Sequence, residues 1–164
     1  YTLASHNLPS ARGQGEPVTG RINPPSGATF EGLLLADEQQ RFLLASDAGY
    51  GFVAVYSDLQ TKNRAGKALL SLPKGGRVLQ PCPVPAENDG AWVAALSNEG
   101  RLLVFPLADL PQLARGKGNK ILGISSARVQ AREEFLVTVQ VIDEAQSLVI
   151  QPRGFQKVDG MRVE

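Results

Sequence analysis

Cysteine is almost missing from this 164-residue chain, in which Cys82 stands alone. An internal disulfide framework and a cysteine-built zinc cage are thereby excluded, and a reducing cytosol is allowed. No apolar run comes near the roughly 20 residues that a membrane helix needs. The longest stretches, such as Phe52 to Tyr56 and Leu102 to Phe105, are far shorter, and no membrane partner is expected. Neither sign of charge dominates, because 17 Lys+Arg face 16 Asp+Glu for a formal charge of +1. Any attraction to nucleic acid must then come from uneven placement. The chain opens at Tyr1 without Met or a charged-then-apolar leader, and Tyr1 reads as part of a strand, so we expect a piece of a longer protein. What the chain does have is 43% hydrophobic residues, enough for a packed core and too many for intrinsic disorder.

The chain repeats. Ser46 to Leu59 lies over Ser97 to Leu110 at an offset of 51, and both stretches read as strand, tight Gly turn, strand. The same offset places Tyr1 to Leu8 over Phe52 to Leu59, while a later copy, Val139 to Phe155, fits at an offset of 45. The apolar clusters are four to six residues long and rich in Val, Leu, Phe and Ala: Phe42 to Ala45, Phe52 to Val55, Trp92 to Leu96, Leu102 to Phe105, Phe135 to Val139 and Leu148 to Ile150. Such lengths favour strands over helices. Gly49, Gly51 and Gly100 fall where hairpin turns need positive φ, and Pro24, Pro25, Pro73, Pro81, Pro83 and Pro85 gather in connections. At most one helical turn fits, between Leu107 and Leu113. The expected architecture is all-β, in units of roughly 1–30, 31–80, 81–130 and 131–164. Propeller-like blades suit such units, because each blade buries its faces against two neighbours.

The near-zero net charge hides a segregation. The second hairpin strand of each unit ends in Leu and leads into a short loop of Gly and basic residues: Leu8 to Gly15, Leu59 to Lys67 and Leu110 to Gly118. Lys62, Arg64, Lys67, Lys74 and Arg77 form one acid-free window; Arg115, Lys117, Lys120, Arg128 and Arg132 form another. Ten of the 17 cations thus occupy two stretches, whereas the carboxylates fall in hairpin tips and connections. In a blade architecture, equivalent loops take equivalent places, so the Arg/Gly loops would line one rim. Such a rim can track a phosphate backbone, since glycine admits backbone N–H groups close to phosphate and Arg offers a planar fork.

Leu8 to Pro17, Ala45 to Phe52, Asn63 to Ala68 and above all Phe105 to Ile121 closely resemble the C-terminal domain of the bacterial DNA topoisomerase IV A subunit. The likeness is strongest from Leu8 to Ile124. It implies a β-pinwheel, a propeller-like disc whose blades exchange strands, here incomplete at about three to four blades and binding duplex DNA along its outer edge. The related gyrase A subunit carries a box of two arginines followed by Gly-Gly-Lys-Gly. Arg115-Gly116-Lys117-Gly118 keeps one Arg, and Arg12-Gly13-Gln14-Gly15 has Gln where the Lys would stand, a departure that resembles the topoisomerase IV branch. The resemblance further implies a non-catalytic fragment of a cytoplasmic, ATP-dependent type II topoisomerase. Its catalytic tyrosine, Mg2+ and ATP would lie in other domains or subunits, and its partners would be the N-terminal breakage-reunion region and the topoisomerase IV B subunit.

The expected DNA-binding residues are Arg12, Gly13, Gly15, Lys62, Arg64, Lys67, Arg115, Gly116, Lys117, Gly118 and Lys120. Catalytic and metal sites are expected to be absent. His6 has no Gly-x-Ser-x-Gly elbow to serve and reads as an exposed loop residue. Cys82 reads as a buried small hydrophobe between two prolines, Glu133-Glu134 and Asp143-Glu144 as solvated acids, and Trp92 as core. The alternative from a different class is a propeller that docks proteins without DNA, because the fold itself is silent on ligand.

Overall fold

The computed structural model describes residues 1–9, 12–86, 90–143 and 146–151. In chain order the regular elements are β1 (Arg41–Ser46), β2 (Tyr50–Val55), the one-turn α1 (Tyr56–Leu59), β3 (Cys82–Val84), β4 (Trp92–Ser97), β5 (Leu102–Pro106), β6 (Asn119–Lys120), α2 (Ser126–Gln130) and β7 (Leu136–Ile142). They make two antiparallel sheets, one in the order β3-β1-β2-β6 and one in the order β5-β4-β7. The all-β expectation holds. Phe155 and the end of the fourth unit lie outside the described residues, as does Glu144.

Each sheet grows from one hairpin. Gly49, at φ +86°, closes the first turn with its N–H on Ser46 O at 3.0 Å, and Gly100, at φ +79°, closes the second on Ser97 O at 3.0 Å. The strands of the first hairpin read as unbroken apolar runs because both faces are buried. Leu43, Ala45 and Val53 pack with Val93, Ala95, Leu136 and Val139 of the other sheet. Phe42, Leu44, Phe52 and Ala54 face the opposite way, under Leu34, Leu69, Leu70 and Leu113. The period of two also corrects the reading of Trp92. Val93 and Ala95 point inward and are fully buried, which turns Trp92 outward at 36% exposure.

The second strand of each hairpin runs into a single helical turn. These turns begin at Tyr56 and Leu107, and a third begins at Ser5, so the three starts are 51 residues apart. The strand expected at Tyr1 is not formed. Residues 1–4 are irregular, because the described residues offer them no neighbour equivalent to the one β1 gives β2. Leu33 is left 94% exposed for the same reason, while Val84, its counterpart one repeat later, is buried beside β1. Leu148 to Ile150 likewise form no strand.

Strands are handed backward along the chain. β3 and β6 both come from connections that follow the hairpin they join, and Leu113 adds an N–H to Val53 O at 2.8 Å. The corresponding outer edge of β5 is open among the described residues, with Leu102, Leu103 and Val104 each about 40% exposed.

Candidate nucleic-acid interface

The loop Arg115 to Lys120 is clamped from two sides. Gly116 N–H donates to Leu69 O at 2.8 Å, and Gly116 O accepts from Ser71 N–H at 2.8 Å. On the other side β6 lies along β2, with Lys120 opposite Tyr50 and Asn119 opposite Gly51. Gly118 has φ +75°, and a Cβ there would run into Gly51 O. Its lack of a side chain therefore serves a backbone contact within the fold, a different use from the phosphate approach expected of it. Lys117 and Lys120 are exposed, and Lys117 Nζ lies 3.7 Å above the Tyr50 ring.

The loop Lys62 to Lys67 is shaped by Asn63, whose Oδ1 accepts from Ala65 N–H at 3.0 Å and whose carbonyl accepts from Gly66 N–H at 2.9 Å. Lys62, Arg64 and Lys67 are exposed, and Lys67 Nζ donates to Asp58 O. Arg12, Gly13 and Gly15 are exposed as well, and Gly15 at φ +82° has open space where a Cβ would stand.

Successive loops are stitched to one another by backbone bonds. Asn23 N–H, beyond the first loop, donates to Arg64 O in the second at 2.9 Å. Leu69 and Ser71, beyond the second, hold Gly116 in the third.

Ion pairing divides the cations into two groups. Arg101 and Arg128 both grip Glu134, which is 1% exposed, and Arg132 Nη1 meets Asp47 Oδ2 at 2.6 Å. Arg128 and Arg132 sit in the acid-free window of the sequence, yet their charge is met by carboxylates from elsewhere. The reading of Glu134 as solvated is corrected at the same point, since two guanidinium groups make its burial tolerable. Among the described residues, by contrast, Lys62, Arg64, Arg115, Lys117 and Lys120 form no ion pair. Sequence reasoning missed Tyr50 and Arg101. A tyrosine between two turn glycines is the one hint for the first, and the second had none.

The hydrogen bond from Arg101 and the charge of both arginines hold the Glu134 carboxyl below its ordinary value of 4.5, against the opposing pull of burial. A depressed carboxyl contributes stability that is complete above its unfolded pKa and is lost as pH falls through its folded one. Thermal melts should therefore show the native chain ahead of Glu134→Gln at pH 7. That lead should shrink as pH is lowered from about 4.5 towards 3, because the amide does not titrate. A gap that stays constant with pH would show that Glu134 gains nothing from its charge.

Cys82 is buried, its Sγ accepting from Val141 N–H at 3.2 Å, and burial raises its pKa. His6 is exposed in the turn at Ser5–Asn7. Among the described residues no group of three or more His, Cys, Asp or Glu is placed to hold a metal ion, and no helix is long and apolar enough to cross a membrane.

A family model described as the DNA gyrase C-terminal domain, beta-propeller, matches residues 40–82 and 91–143. The chain is 50% identical over 192 residues to the A subunit of DNA topoisomerase 4 from Pseudomonas aeruginosa, with 100% of this chain and 25% of that protein covered. To the same protein from Escherichia coli K12 it is 43% identical over 171 residues, with 99% and 22% covered. It thus spans about a quarter of the length of the curated relatives it matches. Among solved structures it resembles the E. coli ParC C-terminal domain with a TM-score of 0.79 and 48% identity, over 83% of this chain and 55% of that one. A crystal structure of the C-terminal domain of DNA topoisomerase IV, at 13% identity and a TM-score of 0.63, shares the fold over 78% of this chain and 38% of that one. Since both hairpins and the strand β7 fall within the matched residues, this chain belongs to the DNA gyrase C-terminal domain, beta-propeller family, as its resemblance to the topoisomerase IV A subunit implied.

Proposed function

We propose that the chain binds duplex DNA without sequence specificity and guides or bends it along a rim of Arg12, Lys62, Arg64, Lys67, Arg115, Lys117 and Lys120. The observation that carries this reading is the division of the cations: those of the second and third loops stand exposed without carboxylate partners among the described residues, while Arg101, Arg128 and Arg132 are engaged by buried carboxylates. Stitching between loops supports a continuous track. Contacts of this kind position a duplex without reading its bases. On this reading the chain serves a topoisomerase IV, as part of its A subunit, in the bacterial cytoplasm, by presenting DNA for strand passage, decatenation and relaxation. The N-terminal breakage-reunion region and the B subunit would be its partners, and ATP and Mg2+ would be held there, away from this chain.

If about five phosphates are neutralised, log affinity for random linear duplex should fall with log salt at a slope of about −4 to −5. The double change Arg115→Ala with Lys117→Ala should make the slope shallower by about 1.8. Gel shifts at several salt concentrations between about 50 and 200 mM measure both quantities, and an unchanged slope would remove this loop from the interface. The second reading, a protein-docking propeller, draws on the exposed apolar residues Trp92, Leu102, Val104 and Val137 of the β5-β4-β7 sheet. It requires duplex binding to be absent or indifferent to salt.

A further inference from the structure

The two kinds of cation in this chain are held in place by different means. Arg101, Arg128 and Arg132 meet carboxylates, which order the guanidinium and offset its charge locally, and Arg132 also lies 3.9 Å over the Phe135 ring. Lys117 is placed by the face of an aromatic ring, which is uncharged and leaves its positive charge available. The ring belongs to Tyr50, half-buried at the first residue of β2, and its backbone is fixed to the loop that carries the lysine. Tyr50 pairs with Lys120, Gly51 meets Gly118, and Gly49 O accepts from Ile121 N–H at 2.7 Å. Hairpin tip and basic loop therefore form one docked unit, with the ring on one element and the ammonium group on the other.

A related arrangement stands one loop earlier. A Cβ on Gly66 would lie 2.7 Å from the Tyr1 ring, so that ring is seated against the loop of Arg64 and Lys67. Each of these Arg/Gly loops thus has a tyrosine against it, although Tyr1 corresponds to Phe52, not to Tyr50, one repeat later. In the later loop the residue that the tyrosine meets is a lysine.

From this geometry we infer that Tyr50 is a positioning residue of the DNA rim: its ring holds the exposed Lys117 ammonium group, with no carboxylate against it among the described residues, where a backbone phosphate can reach it. The inference rests on the DNA-binding reading. Lysine is otherwise a flexible point charge whose ordering opposes binding, and a neutral support removes part of that cost without competing for the ammonium group.

The test uses the whole 164-residue chain and the variants Tyr50→Leu, Tyr50→Phe, Lys117→Met and the double Tyr50→Leu/Lys117→Met. Tyr50→Leu is expected to weaken binding of random linear duplex about two- to fivefold, and Tyr50→Phe, which keeps the π face, to leave affinity near that of the native chain. Lys117→Met should make the salt slope about 0.9 shallower. The double variant should bind no more weakly than Lys117→Met alone, because a lost lysine needs no support. Additive losses in the double variant, or a Tyr50→Phe as weak as Tyr50→Leu, would overturn the proposal. The Lys117 εCH2 resonance supplies a readout without DNA. It should be shifted upfield by the ring in the native chain and in Tyr50→Phe, and return to its ordinary position in Tyr50→Leu. An unshifted native resonance refutes the contact itself. A shifted resonance in a chain that binds no duplex refutes the DNA reading, and with it any role for Tyr50 in binding.

Discussion

Gly118→Ala should destabilise the chain by about 3 kcal/mol, from the cost of a left-handed alanine plus that of forced displacement in a packed site. Both contributions are visible in the structure. The residue has φ +75°, and its missing Cβ would overlap the carbonyl of Gly51. That carbonyl cannot yield easily, because a Cβ on Gly51 would itself meet Leu44 O at 2.7 Å, so the backbone is hemmed in on both sides. Gly15→Ala provides the comparison, since it has φ +82° and nothing within 4 Å of a new Cβ. Only the conformational cost applies there, about 1 kcal/mol. Urea denaturation of the two variants measures the difference. Equal losses would show that the close approach of Gly118 to Gly51 is not present in solution.

Removal of the Asp47 side chain should cost a comparable amount, about 3 kcal/mol, by leaving buried partners unmatched. Asp47 is 2% exposed and sits at the tip of the first hairpin, where its Oδ1 accepts from Arg77 N–H at 2.6 Å and its Oδ2 from Arg132 at 2.6 Å. Its main chain adds two bonds, accepting from Leu136 N–H at 2.7 Å and donating to Arg77 O at 2.9 Å. One residue thus ties the hairpin to the connection before β3 and to the start of β7. The side chain of Arg132 is 30% exposed and can turn to water, which keeps the loss at the low end of that for a broken buried pair. Asp47→Asn should lose less, about 1–2 kcal/mol, because the amide oxygen still serves Arg77 N–H. The second hairpin has this solution already: Asn98 stands at the equivalent position, and its Oδ1 accepts from Phe135 N–H at 2.8 Å. Denaturation midpoints of the two variants check the order. Asp47→Asn as damaging as Asp47→Ala would assign the whole effect to the ion pair with Arg132.

Both hairpins were legible in the sequence, because a strand buried on two faces and a turn that needs positive φ each leave a local mark at Phe42 to Ala45 and at Gly49. The helical turn at Leu107–Asp109 falls within the stretch that has room for one, whereas the turns at Tyr56 and Ser5 carry the composition of strand ends. The opening residues, Leu33 and Leu148 to Ile150 have strand-like composition without a neighbour to pair with, and pairing is a tertiary property that composition cannot supply. The basic loops were legible through their spacing and through Gly next to Arg. Which cations lack a carboxylate partner was not, because Glu134 meets Arg101 across 33 residues and Asp47 meets Arg132 across 85. The ring beneath Lys117 is similarly remote, on a hairpin that belongs to the preceding unit.

The backward passing of strands also bears on how the chain reaches its folded state. In ordinary stacked repeats a unit closes on itself and then meets its neighbour, so folding can spread outward from any point. Here the first sheet acquires β6 only when Asn119 arrives, 64 residues after β2 has ended. Its completion therefore requires closing a long loop, the kind of step that slows β-proteins and exposes unpaired edges meanwhile. During synthesis the first hairpin can gain β3 early, but the outer edge of β2 must wait for the following unit. A lesion near Asn119 would for that reason be felt first in a hairpin made much earlier.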